Sequence, residues 1–133
     1  MSVTLFVYGT LKRGDCRHVA LAGQYFQAEA RTAPCYRMFN VGNYPALVES
    51  PNGLAIEGEL WQIDAACLAR LDEVEGVAEG LYERRDIRLA EPFTDLSAQS
   101  YFFLKSTNAL ADCGACWSPQ STTTWDGGPP PYP

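Results

Sequence analysis

Apolar and polar positions along the chain alternate in short runs that read mainly as strands. Val3 to Tyr8 carries Leu5, Phe6 and Val7 without a polar break, the pattern of a strand buried on both faces. Gln27 to Thr32 and Tyr36 to Phe39 are shorter strand-like runs separated by Pro34. Tyr44 to Glu49 and Leu54 to Ile63 read as an extended pair, with "ESPNG" at 49–53 as the turn between them. Tyr82 to Leu89 and Gln99 to Lys105 close the series. Helical spacing is expected in two places, a short segment over Cys16 to Gln24 and a longer one from Asp64 to about Glu75. Strands and helices do not alternate regularly, which argues against a doubly wound parallel sheet. A small α+β domain with a curled, barrel-like sheet fits the pattern.

The character changes from about Ser106, and "STTTWDGGPPPYP" at the end is too rich in Thr, Gly and Pro to form a core of its own. The chain therefore divides into a domain over residues 1–105 and a Pro/Gly/Thr-rich extension over 106–133. Trp117, Trp125 and Tyr132 are the rings able to anchor that extension, with Trp117 expected to be the best buried. An arm exchanged between copies would make a homodimer.

Composition changes this picture only by exclusion. A chain of 133 residues with 47% apolar and 20% charged positions fits one soluble domain. Its net charge of −6 gives no general attraction to nucleic acid or to anionic lipid. Lys12, Arg13 and Arg17 cluster near one loop and read as a solvated surface. No apolar run approaches the roughly 18 residues of a membrane span, and no secretory signal is visible. Five cysteines, an odd number beside a proper core, argue against a disulfide framework, so the expected location is cytoplasmic. Cys113 and Cys116 have redox or zinc spacing, but two further zinc ligands are missing and packing is the favoured reading. His18 is the single histidine and reads as a core or surface residue; Trp61 and Trp117 read as core.

Two stretches carry candidate chemistry. In "LFVYGTLKRG" at 5–14 a buried strand runs into Gly9 and Gly14. The glycine spacing is wrong for a phosphate loop, and no second apolar run follows as in a hairpin. Gly9 permits a sharp turn and close approach of a ligand to backbone N–H groups, and Gly14 frees the exit; taken alone, the loop reads first as a tight turn with no ligand. In the longer helix Asp64 is a candidate N-cap and Gly76 a candidate stop. Cys67, Leu68, Leu71 and Val74 form its apolar face, Asp72 lies at the edge and Glu73 points away. Glu75 falls between Leu68 and Val74 on the apolar face, at the end where the macrodipole disfavours an anion. Burial there would raise its proton affinity and suit it to proton transfer. A helix that frays at Val74 would instead turn Glu75 into water.

"VYGTLKRG", "YPALV", "GELWQI" and "LDEVEGVAEGLYERRDI" occur in that order. The set resembles the γ-glutamylcyclotransferase superfamily, in its branch of γ-glutamylamine cyclotransferase-like and avirulence-induced-gene-like proteins, over residues 3 to about 105. The resemblance implies a small mixed barrel with flanking helices and an enzyme that releases 5-oxoproline and a free amine from a small γ-glutamyl substrate. It implies no metal and no organic cofactor. It places substrate binding on Tyr8, Gly9, Thr10 and Leu11, with Tyr82 and Arg84 in a strand that lines or supports the pocket, and the catalytic acid/base on Glu75. The alternative is a non-catalytic module that binds a glutamyl-like or carboxylate ligand.

Overall fold

The computed structural model describes residues 2–15, 17–42 and 44–117. Within them the strands are β1 (Ser2–Val7), β2 (Tyr25–Arg31), β3 (Tyr36–Asn40), β4 (Pro45–Glu49), β5 (Glu57–Asp64), β6 (Tyr82–Ile87), β7 (Ala98–Phe103) and β8 (Ala111–Asp112). One α-helix, α1 (Ala65–Val74), joins β5 to β6. Five strands form a sheet in the order β2-β5-β1-β7-β6, and three form a second in the order β4-β3-β8. The fold is α+β, the larger sheet is mixed, and the two sheets do not close into a single barrel. Among the described residues no helix is long and apolar enough to cross a membrane.

β1 owes its unbroken apolar run to its place at the centre of the larger sheet. It pairs antiparallel with β5 along its whole length and parallel with β7 at Leu5 and Gln99. Its side chains alternate between two cores, as the pleat dictates. Leu5 and Val7 join Leu21, Trp61, Ile63, Cys67, Leu71, Tyr82 and Tyr101. Phe6 and Tyr8 join Tyr36, Met38, Leu47, Ile56, Leu60, Phe102 and Trp117.

Both ends of α1 are built by the residues the sequence singles out. Asp64 accepts from the Cys67 N–H at 2.7 Å, an N-cap that satisfies one of the orphan donors of the first turn. At the other end Gly76 adopts φ +67, its N–H reaches Glu73 O at 3.1 Å, and the Val77 N–H reaches Asp72 O at 3.0 Å. That paired closure is a Schellman motif, and it stops the helix at Val74 with Glu75 as the C-cap.

Two expectations need correction. β4 and β5 are not partners: β4 pairs with β3, while β5 pairs with β1 and β2. A turn does follow Ser50, but Leu54 bridges Tyr36 and the chain then crosses to the larger sheet, so the regular strand starts only at Glu57. The short helix is a single 3-10 turn at His18–Leu21, and Cys16 lies outside the described residues. Beyond Lys105, β8 pairs with β3, and Glu57 N–H donates to Ala115 O at 2.8 Å. Trp117 is 2% exposed within the second core; Trp125 and Tyr132 lie outside the described residues.

Candidate active site

A cleft opens where the chain leaves β1. It encloses about 320 Å³ including its mouth, and its walls are Phe6 to Leu11, Tyr44, Pro45, Glu75, Tyr82 and Tyr101. The loop side is shaped by the loop's own carbonyls, which bond into the protein. Gly9 O accepts from Lys12 N–H at 3.1 Å, Thr10 O from Arg17 N–H at 2.9 Å, and His18 Nδ1 lies 3.1 Å from Leu11 O. The N–H groups of Gly9, Thr10 and Leu11 take no acceptor among the described residues. Gly14, at φ +83, turns the chain out of the loop.

Gly9 is explained by packing. A Cβ there would lie 2.5 Å from Pro45 Cγ, so the glycine lets the loop rest directly on the proline that begins β4. This contact gives the glycine a packing reason beside the expected approach of a ligand to the backbone.

The three charges near the loop are not one solvated surface: Arg13 is exposed, but Arg17 is buried. Arg17 is 2% exposed, with its guanidinium carbon 5.8 Å from the Tyr44 ring centre. Lys12 Nζ donates to Trp117 O at 2.6 Å, which ties the loop to the segment after β8. Arg13 donates to Glu59 from its backbone N–H at 3.0 Å and from Nε at 3.1 Å, and Trp61 Nε1 donates to the same carboxylate at 3.2 Å. Glu59 is only 7% exposed, and its place in "GELWQI" gives no sign of these bonds.

The opposite wall comes from the end of α1 and from β6 and β7. Glu75 is 9% exposed although the helix stops one residue before it. Tyr82 donates from Oη to Pro45 O at 2.6 Å, and Tyr8 donates to Tyr101 O at 2.7 Å, so both rings are fixed by buried bonds. Burial raises the Tyr44 phenol above its ordinary range; Arg17 opposes this and Glu75 adds to it, so both charges act on one cleft residue.

The cleft thus brings together Tyr8, Gly9, Thr10, Leu11, Glu75 and Tyr82. Arg84 is not on its wall. Its guanidinium grips Asp72 through Nε at 2.9 Å and a terminal nitrogen at 3.1 Å, and Asp72 in turn accepts from Tyr101 Oη at 2.7 Å. Tyr101 lines the cleft but sits in "AQSYFF", which reads from sequence as core strand alone.

Comparison with known proteins bears on this geometry. Residues 5–124 match the family model described as gamma-glutamyl cyclotransferase, AIG2-like. A putative gamma-glutamylcyclotransferase of Vibrio cholerae is 32% identical over 114 residues, covering 86% of this chain and 95% of that protein. The gamma-glutamylaminecyclotransferase of Homo sapiens is 37% identical over 93 residues, covering 64% of this chain and 60% of the human one. The crystal structure of an AIG2-like protein from Mus musculus superposes with a TM-score of 0.64 at 27% identity, covering 81% of this chain and 80% of the other. The chain belongs to the gamma-glutamyl cyclotransferase, AIG2-like family.

Proposed function

We propose that the protein is a γ-glutamylcyclotransferase that releases 5-oxoproline and a free amine from a γ-glutamyl amine or γ-glutamyl peptide. One observation carries this reading: the buried Glu75 carboxylate shares a cleft with a loop whose carbonyls are turned into the protein and whose N–H groups at Gly9, Thr10 and Leu11 are left for a ligand. The names of the relatives support the same reaction type.

In this scheme the substrate's α-ammonium gives a proton to Glu75, and the α-nitrogen attacks the γ-carbonyl carbon to close a five-membered ring. The bond from that carbon to the leaving nitrogen breaks. Two of the three ammonium protons end on the leaving amine, the first handed over by Glu75 acting as general acid. The loop N–H groups steady the developing oxyanion, as fixed donors in a water-poor cleft do. Confining the flexible glutamyl chain in a folded shape contributes proximity. No protein nucleophile is required.

The test is a panel of γ-glutamyl-ε-lysine, γ-glutamyl alkylamines and γ-glutamyl dipeptides, assayed for 5-oxoproline, with the corresponding α-glutamyl compounds as controls. Product from at least one γ-linked compound and from no α-linked one is the expected result. Measurable binding without product from any of them would make the domain a binding module instead.

A further inference from the structure

The hydroxyl proton of Tyr101 has a defined direction, and that direction constrains what the cleft recognises. Tyr101 Oη lies 2.7 Å from Asp72 Oδ1. Asp72 is engaged on both oxygens by Arg84, and Arg84 also donates to Gln99 Oε1 at 2.6 Å, so the whole chain of contacts is held from β6 and β7. A carboxylate in a two-pronged pair with a guanidinium only accepts hydrogen bonds. The proton between Tyr101 and Asp72 is therefore the phenol's. Burial, and next the bond to Asp72, push the Tyr101 phenol far above its ordinary range, which keeps that proton on the oxygen. The ordinary role of a cleft tyrosine, donating to a substrate carbonyl or carboxylate, is closed to Tyr101 while Asp72 is in place. What its oxygen offers a ligand is lone pairs, and the partner these suit is an N–H donor.

We propose that Arg84 and Asp72 are positioning residues that hold Tyr101 as a hydrogen-bond acceptor, and that Tyr101 Oη receives an N–H of the substrate's α-ammonium group beside Glu75. The inference rests on the γ-glutamyl reading of the cleft. It adds that the cleft selects for a free, unsubstituted α-amine, the group that must attack. Two acceptors, one charged and one neutral, restrict rotation of that nitrogen. The loop N–H groups across the cleft are of the opposite hydrogen-bonding sense and suit the carbonyl end. It also gives Arg84 a function without contact with the substrate: it fixes the carboxylate that fixes the phenol, and its guanidinium acts on the phenol directly.

The experiment uses Glu75→Gln protein as the parent, so that ligand is not consumed, and isothermal calorimetry with two ligands. One is γ-glutamyl methylamide; the other is glutaric acid monomethylamide, which lacks the α-amine. Tyr101→Phe on this background removes one oxygen and keeps the ring. It is expected to weaken the first ligand by about tenfold or more, the usual scale of a hydrogen bond to a charged group, and the second by less than about twofold. Arg84→Met is expected to weaken the first ligand in the same selective way, and Arg84→Lys to recover part of the loss. If Arg84→Met does not fold, Tyr101→Phe decides alone. Equal losses for both ligands, or no loss for the first, would overturn the proposal while leaving the γ-glutamyl reading standing. If the unmodified protein forms 5-oxoproline from no γ-glutamyl compound, the functional reading fails and this inference falls with it.

Discussion

Replacing Gly9 by alanine places the new Cβ 2.5 Å from Pro45 Cγ and 2.7 Å from Pro45 Cδ. Carbon atoms rest at about 3.5–4.0 Å, so roughly 1 Å of relief is needed. The proline cannot supply it by a rotamer change, because its side chain is a ring. Nor can it retreat easily, since Pro45 pairs with Asn40 across the β3–β4 ladder and its carbonyl holds the Tyr82 hydroxyl at 2.6 Å. The loop or the strand must shift, and overpacking of this kind costs about 1–3 kcal/mol. For a domain of this size that is a fall in Tm of about 3 to 15 °C. Both residues also line the cleft, so activity should fall with stability. Scanning calorimetry and a 5-oxoproline assay on Gly9→Ala, Pro45→Ala and the double variant provide the check. Pro45→Ala removes the two atoms that clash, so the double variant should be more stable than the sum of the single losses predicts, by about 1 kcal/mol or more. Lost activity in Gly9→Ala at an unchanged Tm, with no relief from Pro45→Ala, would refute the packing argument. The glycine would then be serving the approach of a ligand.

Other consequences follow from the same contacts. Trp117 is buried in the second core, so Trp117→Ala should cost about 3–5 kcal/mol by denaturant unfolding, and truncation after Lys105 should be at least as damaging. An unchanged midpoint in either would make residues after 105 a passenger. The Asp64 carboxyl is held below its ordinary range, first by the Cys67 N–H and then by Gln24. A depressed carboxyl contributes stability that is present above its unfolded value near pH 4 and lost as pH falls through the lower folded value. Asp64→Ala should therefore lower Tm at pH 7, and the gap from the parent should close below about pH 4. A gap that persists unchanged to pH 2 would contradict the cap.

How much of this was legible in the sequence depended on whether a signal was local. The ends of α1 were readable because capping chemistry is written in adjacent residues: Asp64 before the helix, Gly76 after it. The fate of Glu75 was half readable. Periodicity placed it on the apolar face and fraying placed it in water; in the structure the helix does end at Val74, yet Glu75 is buried. Strand pairing was misjudged at "ESPNG", since Pro, Asn and Gly make the same turn whether the chain doubles back or crosses to another sheet. Tyr101 and Glu59 were invisible because each gains its role from partners far along the chain, Asp72 and Arg84 for one, Arg13 for the other. Arg17 misled for the opposite reason. A basic cluster reads as a surface, and only tertiary packing puts this arginine at 2% exposure beneath Tyr44.

The central claim is that Glu75 moves the proton. With the best γ-glutamyl compound from the panel as substrate, kcat of Glu75→Gln should fall by at least about a hundredfold, the lower range for loss of a general acid/base. Its Tm, and its affinity for γ-glutamyl methylamide within about tenfold, should be retained, because the amide keeps the shape of the side chain and loses the proton transfer and the charge. A Glu75→Gln protein that forms 5-oxoproline within about threefold of the parent rate would remove Glu75 from the chemistry, since no general base is dispensable at that level.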